Sequence, residues 1–211
     1  MTQPPSRGPV VVVTSLKGGT GKTTLATTIA EELKAHLVDL DPQGDAHDWA
    51  TRSKGIVTAT KPDSWEDALA VVKAARSRGP VVIDCPPGDV DVIRAALEVA
   101  TVAVVPTKAA MQDLRAVNRM MGLVKEVRAQ INRTLRVGLV LNEARLNTNL
   151  GQQAETVLPL TPGSHYLGHI GLRHVFVEAY ISGRAVHSGA ARRETKAMLD
   201  NLCRLIWRNK P

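Results

Sequence analysis

Between an apolar run, Val10–Thr14, and a stretch of helical pattern, Thr23–Ala35, lies Lys17-Gly18-Gly19-Thr20-Gly21-Lys22-Thr23-Thr24. A glycine-rich loop joining a strand to a helix does one thing well. Gly18, Gly19 and Gly21 let the backbone curl until successive N–H groups point at one phosphate, and the helix N-terminus adds its dipole. The segment fits G-x-x-x-x-G-K-[ST] loosely, because Ser15 and Leu16 stand where the first glycine belongs. The chemistry survives that mismatch. Gly18, Gly19, Thr20, Gly21, Lys22, Thr23 and Thr24 are the expected nucleotide-binding set; Lys22 reaches the β- and γ-phosphates, and the Thr23 hydroxyl faces Mg²⁺. The expected ligand is a nucleoside triphosphate with Mg²⁺.

The rest of the chain repeats the strand–helix rhythm. Leu37–Leu40, Val81–Asp84, Val102–Pro106 and Val137–Leu141 are further strand candidates, with the near-continuous apolar character of strands covered on both faces. Trp65–Arg78, Val90–Val99 and Asp113–Ile131 are helical in pattern. Alternation of this kind predicts a single P-loop α/β domain over residues 9–211, a mostly parallel twisted sheet with helices on both faces. Residues 1–8, polar and proline-rich, are expected to form a flexible tail. His36-Leu37-Val38 supplies few apolar residues, so a trimmed connection into the second strand is expected.

Lys17 stands five residues before Lys22, on the far side of the loop. It is poorly placed to join Lys22 on one nucleotide, but could reach across a two-fold interface to a partner's phosphate. Lys-Gly-Gly-x-Gly-Lys-Thr resembles the deviant Walker A motif of the ParA/MinD ATPases, in which the first lysine acts in trans. Downstream segments resemble the same family in order. Val38-Asp39-Leu40-Asp41-Pro42-Gln43-Gly44-Asp45 is similar to its switch I region, and Val81-Val82-Ile83-Asp84-Cys85-Pro86-Pro87-Gly88 to Walker B running into switch II. Val104–Thr107 and Leu141-Asn142 resemble later strand ends beside the nucleotide. The likeness runs from about Val10 to Trp207 and is strongest to small ParF-type partition proteins.

The resemblance implies roles. Lys17, Lys22 and Asp41 form the expected catalytic set, with Asp41 orienting the attacking water, and Thr23 and Asp84 are the expected metal residues. Asp84 ends an apolar strand, where a carboxylate is costly unless it meets a cation or hydrogen bonds. Asn142 has two open readings, as a reader of the adenine edge or as a turn residue. Asp39 is open between metal and structural roles, and Gln43 and Asp45 between switch and plain turn residues. Cys85, Cys203, His174 and His187 are assigned no chemistry, since no metal spacing is present.

Charge points to a partner. Lys and Arg number 27 against 20 Asp and Glu, a net +7. Seven bases and two acids between Arg184 and Pro211 leave +5 of that excess in the last 28 residues. Placed on a helix, Ala190–Lys210 separates Leu199, Leu202, Leu205 and Ile206 from a basic half. Arg184, Arg192, Arg193, Lys196, Arg204 and Arg208 are the expected contacts to non-specific double-stranded DNA, with Arg115, Arg119, Arg128, Arg133 and Arg136 as companions. Aromatic residues are scarce, which argues against a base-stacking platform.

The family likeness further implies an ATP-dependent homodimer that segregates plasmid, chromosome or other cargo, with hydrolysis stimulated by a centromere- or cargo-binding adaptor. The rival readings are a membrane-attached positioning ATPase like MinD, a metabolic P-loop enzyme, and a module that binds ATP without hydrolysing it. The longest apolar runs fall far short of the roughly 20 residues that cross a membrane. A cytoplasmic, nucleoid-associated protein without membrane attachment is expected.

Overall fold

The computed structural model describes residues 7–207. Seven parallel strands form one sheet: β1 (Val10–Val13), β2 (His36–Asp39), β3 (Ala59–Thr60), β4 (Val81–Asp84), β5 (Val102–Thr107), β6 (Arg136–Ala144) and β7 (His165–Gly171). Their spatial order is β3-β2-β4-β1-β5-β6-β7, and every pairing is parallel. The described residues also form eight α-helices, six between strands and two after β7: α1 (Lys22–Leu33), α2 (Asp45–Arg52), α3 (Trp65–Ala75), α4 (Val90–Val99), α5 (Met111–Gln130), α6 (Asn149–Val157), α7 (Val175–Ser182) and α8 (Gly189–Trp207).

The expected α/β domain is present, and strand pleating explains its two cores. Alternate residues of a strand face opposite ways. Val10 and Val12 pack with Ile93 of α4 and Met120 of α5, whereas Val11 and Val13 pack with Ile29 of α1 and Leu202 of α8. Both sides of the central strands are therefore dry, which is why they read as unbroken valine runs. The connection into β2 is as short as expected: α1 ends at Leu33, Lys34 adopts a left-handed conformation, and β2 starts at His36.

Expectation and structure differ at three places. The chain adds α2, β3, α6, β7 and α7, none of which the sequence pattern marked. Gly8, assigned to a loose tail, donates its N–H to the Arg76 carbonyl at 2.7 Å, and residues 1–6 lie outside the described residues. Thr161–Gly171, a Gly-containing stretch with no strand expected in it, mostly forms edge strand β7, where only Leu167 and Ile170 are fully buried.

Topology places the site. From β1 the chain crosses through α1 to the β2–β4 side, while β5 to β7 build outward on the other side. Crevices beyond the carboxyl ends of strands at such a reversal are where open α/β sheets hold ligands.

Candidate nucleotide site

The loop after β1 is tied into shape by its own hydroxyls. Ser15 Oγ donates to the Lys17 carbonyl at 2.7 Å and lies 2.9 Å from Thr20 Oγ1. Both side chains are buried. The serine that interrupts the glycine pattern thus braces the loop, and Thr20 offers a ligand its backbone rather than its hydroxyl. Gly19 and Gly21 have φ of 70° and 88°, the left-handed region where a side chain is strained. At Gly21 a Cβ would also lie 2.1 Å from Asn142 Nδ2.

Asn142 is the loop's outer support. Its Nδ2 donates to the Thr20 carbonyl at 2.8 Å, joining β6 to the phosphate loop. The register of β6 on β7 shifts between Asn142 and Ala144, where Glu143 has a φ of 51°. That irregularity aims Asn142 toward the loop. The amide also lines a cavity of about 260 Å³ with Gly21, Thr24, Arg173, Phe176 and Tyr180. The turn reading of Asn142 is corrected: it sits inside a strand and is 6% exposed.

Lys22 is the first residue of α1 and is buried. Burial lowers its pKa, and the nearby carboxylates of Asp84 and Asp41 oppose that shift. On neighbouring strands Asp39 and Asp84 are register partners, so the C-terminal edge of β2–β4 carries two buried carboxyls side by side. Thr23 Oγ1 donates to Asp84 Oδ2 at 2.8 Å. Asp84 Oδ1 is buried with no hydrogen-bond partner. Burial pushes the Asp84 carboxyl up to about 8; the Thr23 hydroxyl opposes this, and the negative Asp39 reinforces it. An orphaned carboxylate oxygen beside a threonine hydroxyl fits a divalent cation. Among the described residues no group of three His, Cys, Asp or Glu forms a complete metal cage. Mg²⁺ takes few protein ligands and relies on water and phosphate oxygens.

Asp39 braces the turn that follows β2. Its two oxygens accept the N–H groups of Asp41 (3.0 Å) and His47 (2.9 Å), which shapes the turn into α2. Asp41 follows on the same turn and accepts the Gln43 N–H at 3.1 Å. Lys61 Nζ donates to the Pro42 carbonyl at 2.7 Å and pins the loop from β3. Gln43 is an exposed turn residue, whereas Asp45 opens α2 and meets the Tyr180 hydroxyl at 3.3 Å.

Lys17 has a partner that its sequence position does not reveal. Its ammonium lies 2.9 Å from Asp113 in the first turn of α5; the aspartate is 3% exposed and the lysine 41%. Lys22 lies inside the site, while Lys17 stands at its rim, reachable from outside.

The expected DNA contacts do not form one free basic face. Arg184 and Arg192 pair with Glu31 (3.5 Å) and Glu32 (3.0 Å) on α1, and Lys196 pairs with Asp200 on its own helix. Arg204 donates to Asn201, Arg193 is exposed, and Arg208 lies outside the described residues. Two expected companions are corrected. Arg128 binds the Leu135 and Gly163 carbonyls, and Arg136 caps α8 through the Leu205 and Ile206 carbonyls. Both hold the fold together. His187 lies on the surface against Glu31, and burial raises the Cys85 thiol pKa.

The model of the CobQ/CobB/MinD/ParA nucleotide-binding domain matches residues 11–186. The chain belongs to this family. It is 26% identical over 196 residues to Maintenance of carboxysome distribution protein A of Halothiobacillus neapolitanus, covering 89% of this chain and 90% of that protein. Two solved structures show the same fold. A McdA variant–ATP complex from Cyanothece superposes with a TM-score of 0.75 at 16% identity, covering 98% of each chain. A plasmid partition protein of Borrelia burgdorferi bound to AMPPNP gives 0.73 at 14% identity, covering 94% of this chain and 99% of that one. The loop, the Asp84–Thr23 pair and the Asp41 turn lie together at the C-terminal ends of the central strands. Among the described residues no helix is long and apolar enough to cross a membrane.

Proposed function

We propose that the chain is a ParA-type ATPase that cycles between a monomer and an ATP-bridged homodimer, binds double-stranded DNA non-specifically when dimeric, and positions a cargo with an adaptor that stimulates hydrolysis. The observation that carries the reading is the placement of the two lysines. Lys22 is buried among Asp84 and Asp41, where it serves its own nucleotide, while Lys17 stands at the rim, half exposed.

In this reading the loop N–H groups and Lys22 bind the phosphates of ATP. Thr23 and Asp84 would hold Mg²⁺, which would neutralise phosphate charge. Asn142 fixes the loop against β6 and leaves its amide oxygen for the base in the adjoining cavity. Asp41 orients water for in-line attack; positioning and charge, rather than covalent chemistry, supply the rate. Lys17 of each subunit leaves Asp113 and contacts the phosphates of the other, so nucleotide state sets oligomeric state. The likeness to carboxysome-distribution and plasmid-partition proteins supports a positioning output on the nucleoid, with a protein body or DNA as cargo.

Light scattering on size-separated protein tests this with ADP and with ATP plus Mg²⁺, in wild type and Asp41→Ala. A dimer formed only with ATP, and persisting in Asp41→Ala, is expected. A mass independent of nucleotide refutes the switch. DNA affinity of the ATP-bound dimer should fall steeply with salt, because phosphate contacts release counterions. Absence of salt-sensitive binding removes DNA from the mechanism, and ATP-dependent flotation with liposomes would replace it with a membrane.

A further inference from the structure

At the end of the sheet opposite the phosphate loop, Lys34, His36, Thr58, Arg78, Gly79 and Pro80 line a cavity of about 450 Å³. The sequence pattern gave this end no role. It lies where β2 and β4 begin: His36 and Val81 are register partners, and the His36 N–H donates to the Pro80 carbonyl at 3.0 Å. The nucleotide site lies at the other ends of these four-residue strands, about 10 Å away along the sheet.

The cations here are not neutralised. Among the described residues, ion pairs engage Lys17, Arg94, Lys108, Arg173, Arg184, Arg192 and Lys196, but not Arg7, Lys34, Arg76 or Arg78. Arg76, at the end of α3 beside this recess, has a buried Nε with no hydrogen-bond partner. Burial lowers the pKa of both Arg76 and His36, and the like charges of Arg7 on Arg76 and of Arg78 on His36 act in the same direction. Arg7 is carried here because Gly8 packs on Gly79 and bonds to the Arg76 carbonyl. Neutral donors complete the wall, with His36 Nδ1 and Nε2 each 3.0 Å from the hydroxyls of Thr58 and Thr60. A concave, ligand-sized recess lined by two exposed, unpaired cations suits a multiply charged anion.

We propose that this recess is a second anion site, separate from the nucleotide site, in which Lys34 and Arg78 bind the phosphate groups of a ligand with Thr58 as neutral donor. The phosphates belong either to a free polyphosphate or to a nucleic-acid backbone. Because the recess faces away from the phosphate loop, its occupancy does not depend on ATP-driven dimerisation.

The test uses full-length protein saturated with ADP and Mg²⁺, so that the phosphate loop is filled. Inorganic pyrophosphate is titrated by calorimetry, with the His36 ring resonances as a local reporter. A random duplex is titrated in parallel. Wild type is compared with Lys34→Asn/Arg78→Gln, asparagine being chosen because Lys34 has a φ of 50°. The charge-matched control is Lys54→Asn/Lys125→Gln, which lies outside the recess. A tenfold or greater loss of pyrophosphate affinity in the recess variant alone, with loss of the His36 shift, supports the site with a free ligand. Loss of duplex affinity alone supports it with nucleic acid as the source. Equal behaviour of the recess variant and the control toward both probes overturns it. If ATP-loaded wild type fails to bind DNA, the nucleoid reading falls, and the pyrophosphate arm still decides this proposal.

Discussion

Asp113→Asn is expected to tighten the ATP-bound dimer. In the monomer the Asp113 carboxylate holds the Lys17 ammonium at 2.9 Å. For Lys17 to reach a partner's phosphates that contact must break, and it must break in both subunits. The lysine is 41% exposed, so water screens the pair and its strength is about 1 kcal/mol. Two latches then oppose dimerisation by about 2 kcal/mol, roughly a 30-fold effect on the dimer Kd. Asparagine keeps the shape of the aspartate and removes its charge, so the monomer should lose little stability. Lys17→Gln acts in the opposite sense: it leaves the buried Asp113 without its cation, lowers thermal stability, and abolishes ATP-dependent dimers. Sedimentation velocity over a concentration series, in an Asp41→Ala background with ATP and Mg²⁺, measures both. A dimer Kd that is unchanged or weaker in Asp113→Asn refutes the latch. Dimers of normal strength in Lys17→Gln refute the trans role itself.

Other outcomes follow from the nucleotide end. Lys22→Ala should weaken ADP·Mg²⁺ binding at least tenfold by calorimetry, since the phosphates lose the cation buried among them. Asp41→Ala should cut ATP turnover at least a hundredfold while leaving dimers intact; normal phosphate release would take Asp41 out of the mechanism. Asp84 predicts a pH dependence for protein free of nucleotide and Mg²⁺. Its folded pKa, about 8, lies above the unfolded value of 3.8, so the native state keeps a proton that the unfolded chain releases. Stability should therefore fall as pH rises from about 4 to 8, by roughly 4 kcal/mol at pH 7 relative to acid. Asp84→Asn should flatten this slope in thermal melts and lose Mg²⁺-dependent turnover; an unchanged slope would refute the assignment.

What could be read from sequence was local. The phosphate loop is legible because its glycine spacing, its lysine and the flanking strand and helix all lie within a few residues of one another. The central strands are legible because both faces are buried. Strand β7 is not: it lies at the sheet edge, and His165, Gly168 and His169 interrupt its apolar pattern. Helix α7 has no fully buried residue, so Val175–Ser182 shows no stripe to detect. Asp113 looked like any acidic residue opening a helix, because its partner is 96 positions away. The same blindness governed the charge. A count placed +5 at the C-terminal end and made that helix the expected polyanion surface. Folding pairs Arg184 and Arg192 with Glu31 and Glu32 on α1, while Lys34 and Arg78 converge without a carboxylate between them. Pairing leaves the net charge unaltered but neutralises only part of that helix, so Arg193 as well as Lys34 and Arg78 stand without an ion pair among the described residues. A search for phosphate-binding surfaces on this chain should therefore follow its unpaired cations rather than its basic stretches.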